Sequence, residues 1–211
     1  QFPDDDIKTL NGAARITGGT DKSDWSLISY LARANYSYLD KYLVTATVRT
    51  DGSSRFGVNN RWGTFPSLAL GWRASEETFL KNVKWLDDLK FRASYGFTGN
   101  FNIGNYSYMS NIGTNDYVFN GTLASGRVMN TLGNPSLGWE KMREFNAGID
   151  FVGFNNRLTF SVDYYHRNTQ DLLLNVEIPE SSGFSTVTEN RGDVLNRGLE
   201  LGLNSVNISK D

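Results

Sequence analysis

Apolar and polar positions alternate along several short segments of this chain, most clearly between Ile28 and Asp51. One face of that stretch carries Ile28, Tyr30, Ala32, Ala34, Tyr36, Tyr38, Tyr42, Val44, Ala46 and Val48. A period of two residues is that of a β-strand, so the stretch predicts a hairpin that turns at Leu39, Asp40 and Lys41. Each strand has the length of a transmembrane β-strand, about 9–11 residues.

The same alternation returns in five further segments, at residues 65–73, 90–97, 143–152, 158–165 and 199–204. The charged strand residues are expected on one face and the apolar residues on the other. A membrane barrel needs this division between lumen and lipid, because Arg or Lys facing lipid at mid-bilayer costs roughly 2–4 kcal/mol. We therefore predict an all-β fold, an antiparallel up-and-down transmembrane β-barrel segment of about seven or eight strands.

The connections between these segments alternate in length. Those near residues 40, 81 and 154 are short or compact, and a brief helical turn is expected near Glu76 and Glu77. Those near residues 57, 120 and 183 are longer and rich in turn-forming residues. Up-and-down barrels have short periplasmic turns and long outer loops, whereas a soluble β-sandwich has no reason for this asymmetry. Seven strands leave two sheet edges with unpaired backbone groups, which lipid does not tolerate. We therefore expect this chain to be a section of a larger barrel.

Composition narrows the classes of function. The 211 residues include 21 Gly, 10 Tyr and 13 Phe but only 4 Pro, which favours strands and turns over helix bundles. The net charge of −2 and the lack of a basic patch speak against nucleic-acid binding. There is no cysteine, which excludes disulfides and Cys-based zinc sites.

Catalytic and metal chemistry find little support in the sequence. His166 is the only histidine and is predicted on the apolar face beside Tyr164, where an interfacial role is expected rather than catalysis. No nucleophile motif, phosphate-binding loop or metal-spaced histidine pair is present. Asp4, Asp5 and Asp6 lack the Gly and Glu positions of a calcium loop, so a solvated loop is expected. We predict no enzyme, no catalytic residue, no metal and no cofactor.

The charged strand positions are candidate lumen-lining residues. They are Arg33, Arg49, Asp51, Arg92, Glu144, Asp150, Asp163 and Glu200. These side chains either have a function, lining the path of a solute or gripping a plug, or form a lattice of cross-strand ion pairs that keeps a wide barrel rigid. The lattice is the favoured interpretation for any single residue.

The long connection from residue 98 to 141 is the candidate contact surface of the outer loops. Its aromatic residues are Tyr106, Tyr108, Tyr117 and Phe119. Aromatic side chains stack on sugars and fill protein interfaces, so these four are expected to contact a solute or a protein lid. The alternative is that they pack on neighbouring loops.

A series of motifs spans nearly the whole chain and resembles one family. The motifs include RTDGSSRFG (49–57), WGTFPS (62–67), LKFRASYG (89–96), EFNAG (144–148) and GLE (198–200). Together they resemble the barrel region of the SusC/RagA family of TonB-dependent outer-membrane transporters of Bacteroidetes. Their order along the chain is far more specific than any single motif.

The resemblance implies a 22-stranded barrel in the outer membrane of a Gram-negative, Bacteroidetes-like cell. It implies uptake of oligosaccharides or peptides, energy from the TonB complex through a plug domain, and a SusD-like surface lipoprotein as partner. Residues 1–211 are then expected to be part of a single barrel domain, with the plug, the TonB box and the end of the barrel outside them.

Two alternatives stay open. The first is a soluble β-sandwich that binds carbohydrate, in which the apolar faces of the strands pack on each other in a closed core. The second is an outer-membrane barrel enzyme such as a lipase or protease. It would need a Ser/His or acid/His group at the lumen or rim, and the position of His166 on the apolar face argues against it.

Overall fold

The computed structural model describes residues 22–208 as an almost purely β-structure. Its strands are β1 Leu27–Tyr38, β2 Tyr42–Ser53, β3 Trp62–Arg73, β4 Leu86–Asn100, β5 Asn111–Phe119, β6 Thr122–Thr131, β7 Glu140–Gly153, β8 Leu158–Gln170, β9 Leu173–Glu177, β10 Thr186–Asn190 and β11 Val194–Ser205. None of the helices in this part of the chain is long or apolar enough to cross a membrane. The acidic run Asp4, Asp5 and Asp6 lies outside the described residues.

The main sheet has seven strands in the order β1-β2-β3-β4-β7-β8-β11. Every pair of neighbours is antiparallel, and each strand is followed in the sheet by the next main strand along the chain. These are the seven segments that the alternation predicts, so the all-β antiparallel up-and-down prediction is confirmed.

The two ends of the sheet differ. Residues 39–41, 74–85 and 154–157 connect strands at one end, which we call the turn end; the second of these includes a short 3-10 helix at Ala74–Glu76, close to the predicted helical turn. Residues 54–61, 101–139 and 171–193 connect strands at the other, which we call the loop end. The two longest connections, residues 101–139 and 171–193, are both at the loop end. The predicted alternation in length is wrong for one pair, because residues 74–85 of the turn end outnumber residues 54–61 of the loop end.

The long connections contain two hairpins that the alternation did not reveal, β5 with β6 and β9 with β10. The first turns at Asn120 and Gly121, whose φ angles of 50° and 75° are both positive, as a two-residue type I′ turn needs. Both faces of this hairpin are largely exposed, so no buried face imposes an alternating pattern on its sequence.

One face of the main sheet, the apolar face, is exposed and has aromatic residues at both ends. At the turn end Trp72 stacks on Phe91 with ring centroids 5.4 Å apart. At the loop end Tyr30 stacks on Trp62 at 6.0 Å. On β1 the distance from Tyr30 to Tyr38 is about 26 Å along the strand, of the order of the ~25 Å apolar band of outer-membrane barrels.

The packing contradicts the β-sandwich alternative. That hypothesis requires the apolar face to be covered, yet Leu199, Leu201 and Leu203 are 62%, 66% and 73% exposed. The buried hydrophobic cluster lies at the loop end instead, in the connections and on β3. It consists of Phe56, Phe65, Ile103, Leu137 and Trp139. The apolar face therefore needs an apolar environment from outside the described chain.

The expectation that every charged strand residue lies on one face is wrong near the loop end. Lys141, Arg143 and Arg197 follow the alternation of Phe145 and Leu199, which belong to the apolar face. The strands are longer than the pattern predicted: β4 has 15 residues and β7 has 14. Strands of that length extend past an apolar band, and charges beyond the band are cheap to hydrate.

Candidate functional site

The opposite face of the main sheet, the charged face, contains a three-membered ion-pair group across β4, β7 and β8. The Arg92 guanidinium donates to both carboxylate oxygens of Asp150, with Nε to Oδ2 at 2.6 Å and Nη2 to Oδ1 at 2.9 Å. Its Nη2 also lies 3.0 Å from Oδ1 of Asp163. The three side chains are 23–35% exposed, so water screens the pairs only partly.

Gly148, which is not among the candidate residues predicted from the sequence, makes this group possible. In the register Arg92 lies directly opposite Gly148, and Gly148 lies directly opposite Asp163. The guanidinium therefore crosses a whole strand to reach Asp163. A Cβ on Gly148 would lie 2.9 Å from Nη2 of Arg92 and closer still to the Asp163 carboxylate. The sequence signal is a glycine inside a strand, which often marks a close approach.

Most of the other candidate lumen-lining residues form an ion pair or a hydrogen bond with another side chain. Glu144 pairs with Nε of Arg167 at 2.9 Å, and Arg167 was missed because the predicted strand stopped at residue 165. Arg49 pairs with the buried Asp51 at 2.8 Å along the same strand. Arg33 donates through Nε to the Thr47 hydroxyl at 3.2 Å.

Glu200 stands apart from this group. It lies on the edge strand β11 directly opposite Asp163, so two carboxylates face each other in the register. Within residues 22–208 it has no ion pair within 4.0 Å. On the charged face, Glu200 and Arg33 are thus the two candidates without an ion-pair partner in the described chain.

The four aromatic candidates of the long connection separate into two pairs. Tyr106 and Tyr108 lie at the base of the loops, where the Tyr106 hydroxyl accepts a hydrogen bond from the Asp24 amide at 3.2 Å. Tyr117 and Phe119 lie on β5 and form an edge-to-face pair with centroids 6.4 Å apart. Only the second pair lies on the exposed hairpin.

The tip of the β5–β6 hairpin is apolar on both faces. Val118, Phe119 and Leu123 are 71%, 67% and 72% exposed. A two-stranded hairpin is only marginally stable by itself in water. Exposed apolar residues in this number therefore indicate a surface that contacts another molecule.

Asparagine side chains link the three connections of the loop end to one another. Asn190 accepts from the Gly138 amide at 2.8 Å and donates to the carbonyls of Gly138 and Asp171, both at 2.9 Å. Asn60 donates to the Ser136 carbonyl at 3.0 Å, and Asn134 donates to the Thr188 carbonyl at 3.0 Å. The base of the loops is therefore a connected platform, and the hairpin tip projects from it.

At the turn end, Glu77 accepts three hydrogen bonds, one from the first turn and one each from strands β2 and β3. Its carboxylate accepts from the Tyr42 hydroxyl at 2.7 Å, from Nζ of Lys41 at 3.0 Å and from Nε1 of Trp72 at 3.3 Å. The Tyr42 hydrogen bond, followed by the Lys41 hydrogen bond, lowers the pKa of Glu77 below its ordinary value. The carboxylate thus joins the first turn to the connection between β3 and β4.

Residues 22–208 contain no group of three or more His, Cys, Asp and Glu side chains arranged to hold a metal ion. His166 lies on the apolar face, directly opposite Phe145 on β7 and Arg197 on β11. It does not meet the carboxylates of the charged face.

Comparison with known proteins gives consistent matches. Residues 1–208 match the family model described as TonB dependent receptor-like, beta-barrel. A TonB-dependent receptor of Formosa agariphila is 44% identical over 206 residues, which covers 96% of this chain and 20% of that protein. The TonB-dependent receptor SusC of Bacteroides thetaiotaomicron is 46% identical over 186 residues, covering 85% of this chain and 18% of that protein.

Among solved structures, the RagAB peptide importer in its closed-closed state superposes with a TM-score of 0.84 at 35% identity. The match covers 99% of this chain and 23% of the importer chain. The chain thus spans about a fifth of the length of the proteins it matches.

Proposed function

Because the chain belongs to the TonB-dependent receptor-like β-barrel family, we propose that it is a section of the wall of a transporter that takes up oligosaccharides or peptides. The resemblance to SusC/RagA is confirmed by the matches to SusC and to RagAB, and the chain is a segment of an outer-membrane barrel. Energy for uptake comes, in this proposal, from the TonB complex through a plug domain outside these residues.

One observation carries the proposal. A seven-stranded sheet with an exposed apolar face, a charged face and its two longest connections at one end superposes on the RagAB importer over 99% of the chain. Such a sheet is stable only with lipid on one side and a water-filled or plugged interior on the other. The charged face is therefore assigned to the interior and the loop end to the cell exterior.

The interior residues divide into two roles in this proposal. Arg92, Asp150 and Asp163 satisfy one another, so they act as a rigid lattice in the wall. Arg33 and Glu200 have no ion-pair partner in the described chain. They are the interior charges available to a solute, a plug or a neighbouring strand.

The outer loops supply the contact surface. The asparagine-linked platform holds the bases of the loops, and the β5–β6 hairpin presents Tyr117, Val118, Phe119 and Leu123 above it. We assign this tip to a SusD-like surface lipoprotein or to the solute itself. Aromatic and aliphatic side chains of this kind form the centre of protein interfaces and stack on sugars.

The function is tested with the full-length protein that contains this chain. A strain that lacks its gene should lose uptake of fluorescently labelled oligosaccharides or oligopeptides, and the gene should restore uptake of one class. Collapsing the proton gradient across the inner membrane should abolish that uptake, because TonB draws on this gradient. Uptake of both solute classes that is unchanged by gene deletion would refute the proposal.

The role of the hairpin is tested by the double variant Phe119→Ser and Leu123→Ser. Both side chains are exposed, so the barrel should fold normally while uptake, or capture of the surface lipoprotein, falls about tenfold. Val58→Ser is the matched control, since Val58 is 75% exposed in another outer connection. An equal loss in the control, or no loss in the double variant, would remove the hairpin from the contact surface.

A further inference from the structure

Two arginines lie on the apolar face of the sheet close to its loop end. Arg143 on β7 lies opposite Asn168 on β8, and Arg197 on β11 lies opposite His166 on β8. The rows are adjacent on the same face. The two arginines are therefore two strands apart, about 10 Å, and two residues apart along the strands, about 7 Å. Side chains of this length can reach a common group from these positions.

Neither arginine has an ion-pair partner among residues 22–208, and both are exposed. Three nearby acidic residues either pair with other residues or lie farther toward the loop end. Glu144 is on the opposite face with Arg167, and Asp171 pairs with Lys141 at 3.7 Å. Asp193 directly precedes β11, beyond Arg197 on the loop side. The site between the arginines is thus cationic, with His166 between them.

Directly below this cationic site the face becomes apolar. Phe145 occupies the row of Arg197, and Tyr164 and Leu199 occupy the next row toward the turn end; all three are exposed. A molecule held by the arginines would therefore lay an apolar part along these residues. A lipid has both parts in this order, an anionic headgroup above acyl chains.

We propose that Arg143 and Arg197 bind the phosphate of a lipid headgroup in the outer leaflet, with His166 completing the site. Arginine binds phosphate through parallel hydrogen bonds, and cations at a membrane surface attract anionic headgroups. The occupant is a phosphorylated glycolipid of the lipid A class, the anionic component of that leaflet. This inference rests on the outer-membrane orientation above but not on the solute that is transported.

The test uses the full-length protein purified in detergent and placed in nanodiscs that contain diphosphorylated lipid A. Native mass spectrometry measures the lipid A retained by the wild type, by the double variant Arg143→Gln and Arg197→Gln, and by the charge-keeping pair Arg143→Lys and Arg197→Lys. The matched control is Lys81→Gln with Lys84→Gln, which removes two charges at the turn end. Heat-modifiable migration on a gel verifies that each variant is folded.

Retention should fall about tenfold in the double glutamine variant, fall less in the lysine pair, which keeps the charge but not the parallel hydrogen bonds, and be unchanged in the control. Dephosphorylated lipid A should be retained weakly by every form. Equal retention by wild type and glutamine variant would overturn the proposal, as would equal retention of the dephosphorylated lipid. Complete displacement by millimolar inorganic phosphate would indicate a free-anion site instead. Because solute uptake is not measured, failure of the proposed transport would leave this result standing.

Discussion

Single residues on the charged face show how a wide sheet satisfies partly buried charges. Arg92 satisfies two carboxylates from two different strands, and it can do so only because Gly148 leaves the space above β7 empty. Partly buried charges that satisfy one another rigidify a wall, while a half-satisfied group would destabilise it. The glycine is thus as much a part of the ion-pair group as the charged residues.

We predict that Gly148→Ala lowers the stability of the barrel by about 1–3 kcal/mol, because its Cβ displaces the Arg92 guanidinium from Asp163. The thermal midpoint of the full-length protein in detergent measures this loss. Gly71→Ala is the matched control. Gly71 lies opposite Arg92 on the other side, and a Cβ there meets its nearest atoms at 3.4–3.5 Å, an ordinary contact. If both variants lose the same stability, the loss comes from glycine removal and not from the ion pairs.

Glu77 gives a prediction that depends on pH. Its pKa is lowered by the hydrogen bonds from Tyr42 and Lys41, so the charged carboxylate is favoured in the folded state. A group of this kind contributes stability in full above its ordinary pKa, and the contribution is lost as pH falls through the lowered value. Glu77→Gln should therefore lower the thermal midpoint at neutral pH, and the difference from wild type should narrow as the pH falls through the lowered pKa of Glu77.

Thermal melts of wild type and Glu77→Gln between pH 7 and pH 3 measure this convergence. Glu76→Gln serves as control, since Glu76 has only a 3.5 Å contact with Arg73 at the exposed surface. A difference between wild type and Glu77→Gln that persists unchanged into acid would show that the carboxylate charge is not what the three donors stabilise.

At the scale of elements, the three connections of the loop end form a platform and are not independent loops. Hydrogen bonds from Asn60, Asn134 and Asn190 link all three connections, and the buried cluster around Trp139 packs beneath them. Each of these asparagines replaces backbone pairing that irregular segments lack. The hairpin β5–β6 can then project from a fixed base.

Asn190→Ala should loosen this platform, because it removes three hydrogen bonds that join residues 138 and 171. We expect faster hydrogen exchange in residues 132–139 and faster protease cleavage in 171–193, while the strands stay protected. Asn175→Ala is the control, because Asn175 accepts one hydrogen bond, from the Thr188 hydroxyl, inside one hairpin. Equal exchange in the two variants would argue that the cluster around Trp139 alone holds the loops.

At the scale of the whole molecule, the two open edges of the sheet require further strands to pair with them. In the described chain β1 and β11 each pair with only one neighbour, so each has a row of backbone groups without strand partners. Lipid does not tolerate such an edge. The seven strands must therefore be continued by further strands on both sides in the intact barrel.

Hydrogen exchange of the full-length protein in detergent tests this requirement. Amides of β1 and β11 should be protected to the same degree as those of the central strands β4 and β7. The exposed hairpin β5–β6 provides the internal control and should exchange much faster. Edge strands that exchange as fast as the hairpin would mean that the sheet is open, and the barrel would have to be abandoned.

The sequence by itself determined the seven main strands, the apolar face of each and which end of the sheet has the two longest connections. This was possible because one face of every strand lies against lipid, which imposes a strict period of two on the residues. It also identified the family, through motifs that extend along nearly the whole chain.

Only the tertiary structure decided which charges meet. Arg92 and Asp163 are 71 residues apart and reach each other across Gly148, a relation that depends on the register of β4, β7 and β8. It also decided that the long connections contain two hairpins and a buried cluster. The residues of the buried cluster pack against other loops, and the β5–β6 hairpin is exposed on both faces. Neither arrangement imposes a period of two, so no alternating pattern along the chain indicates these parts.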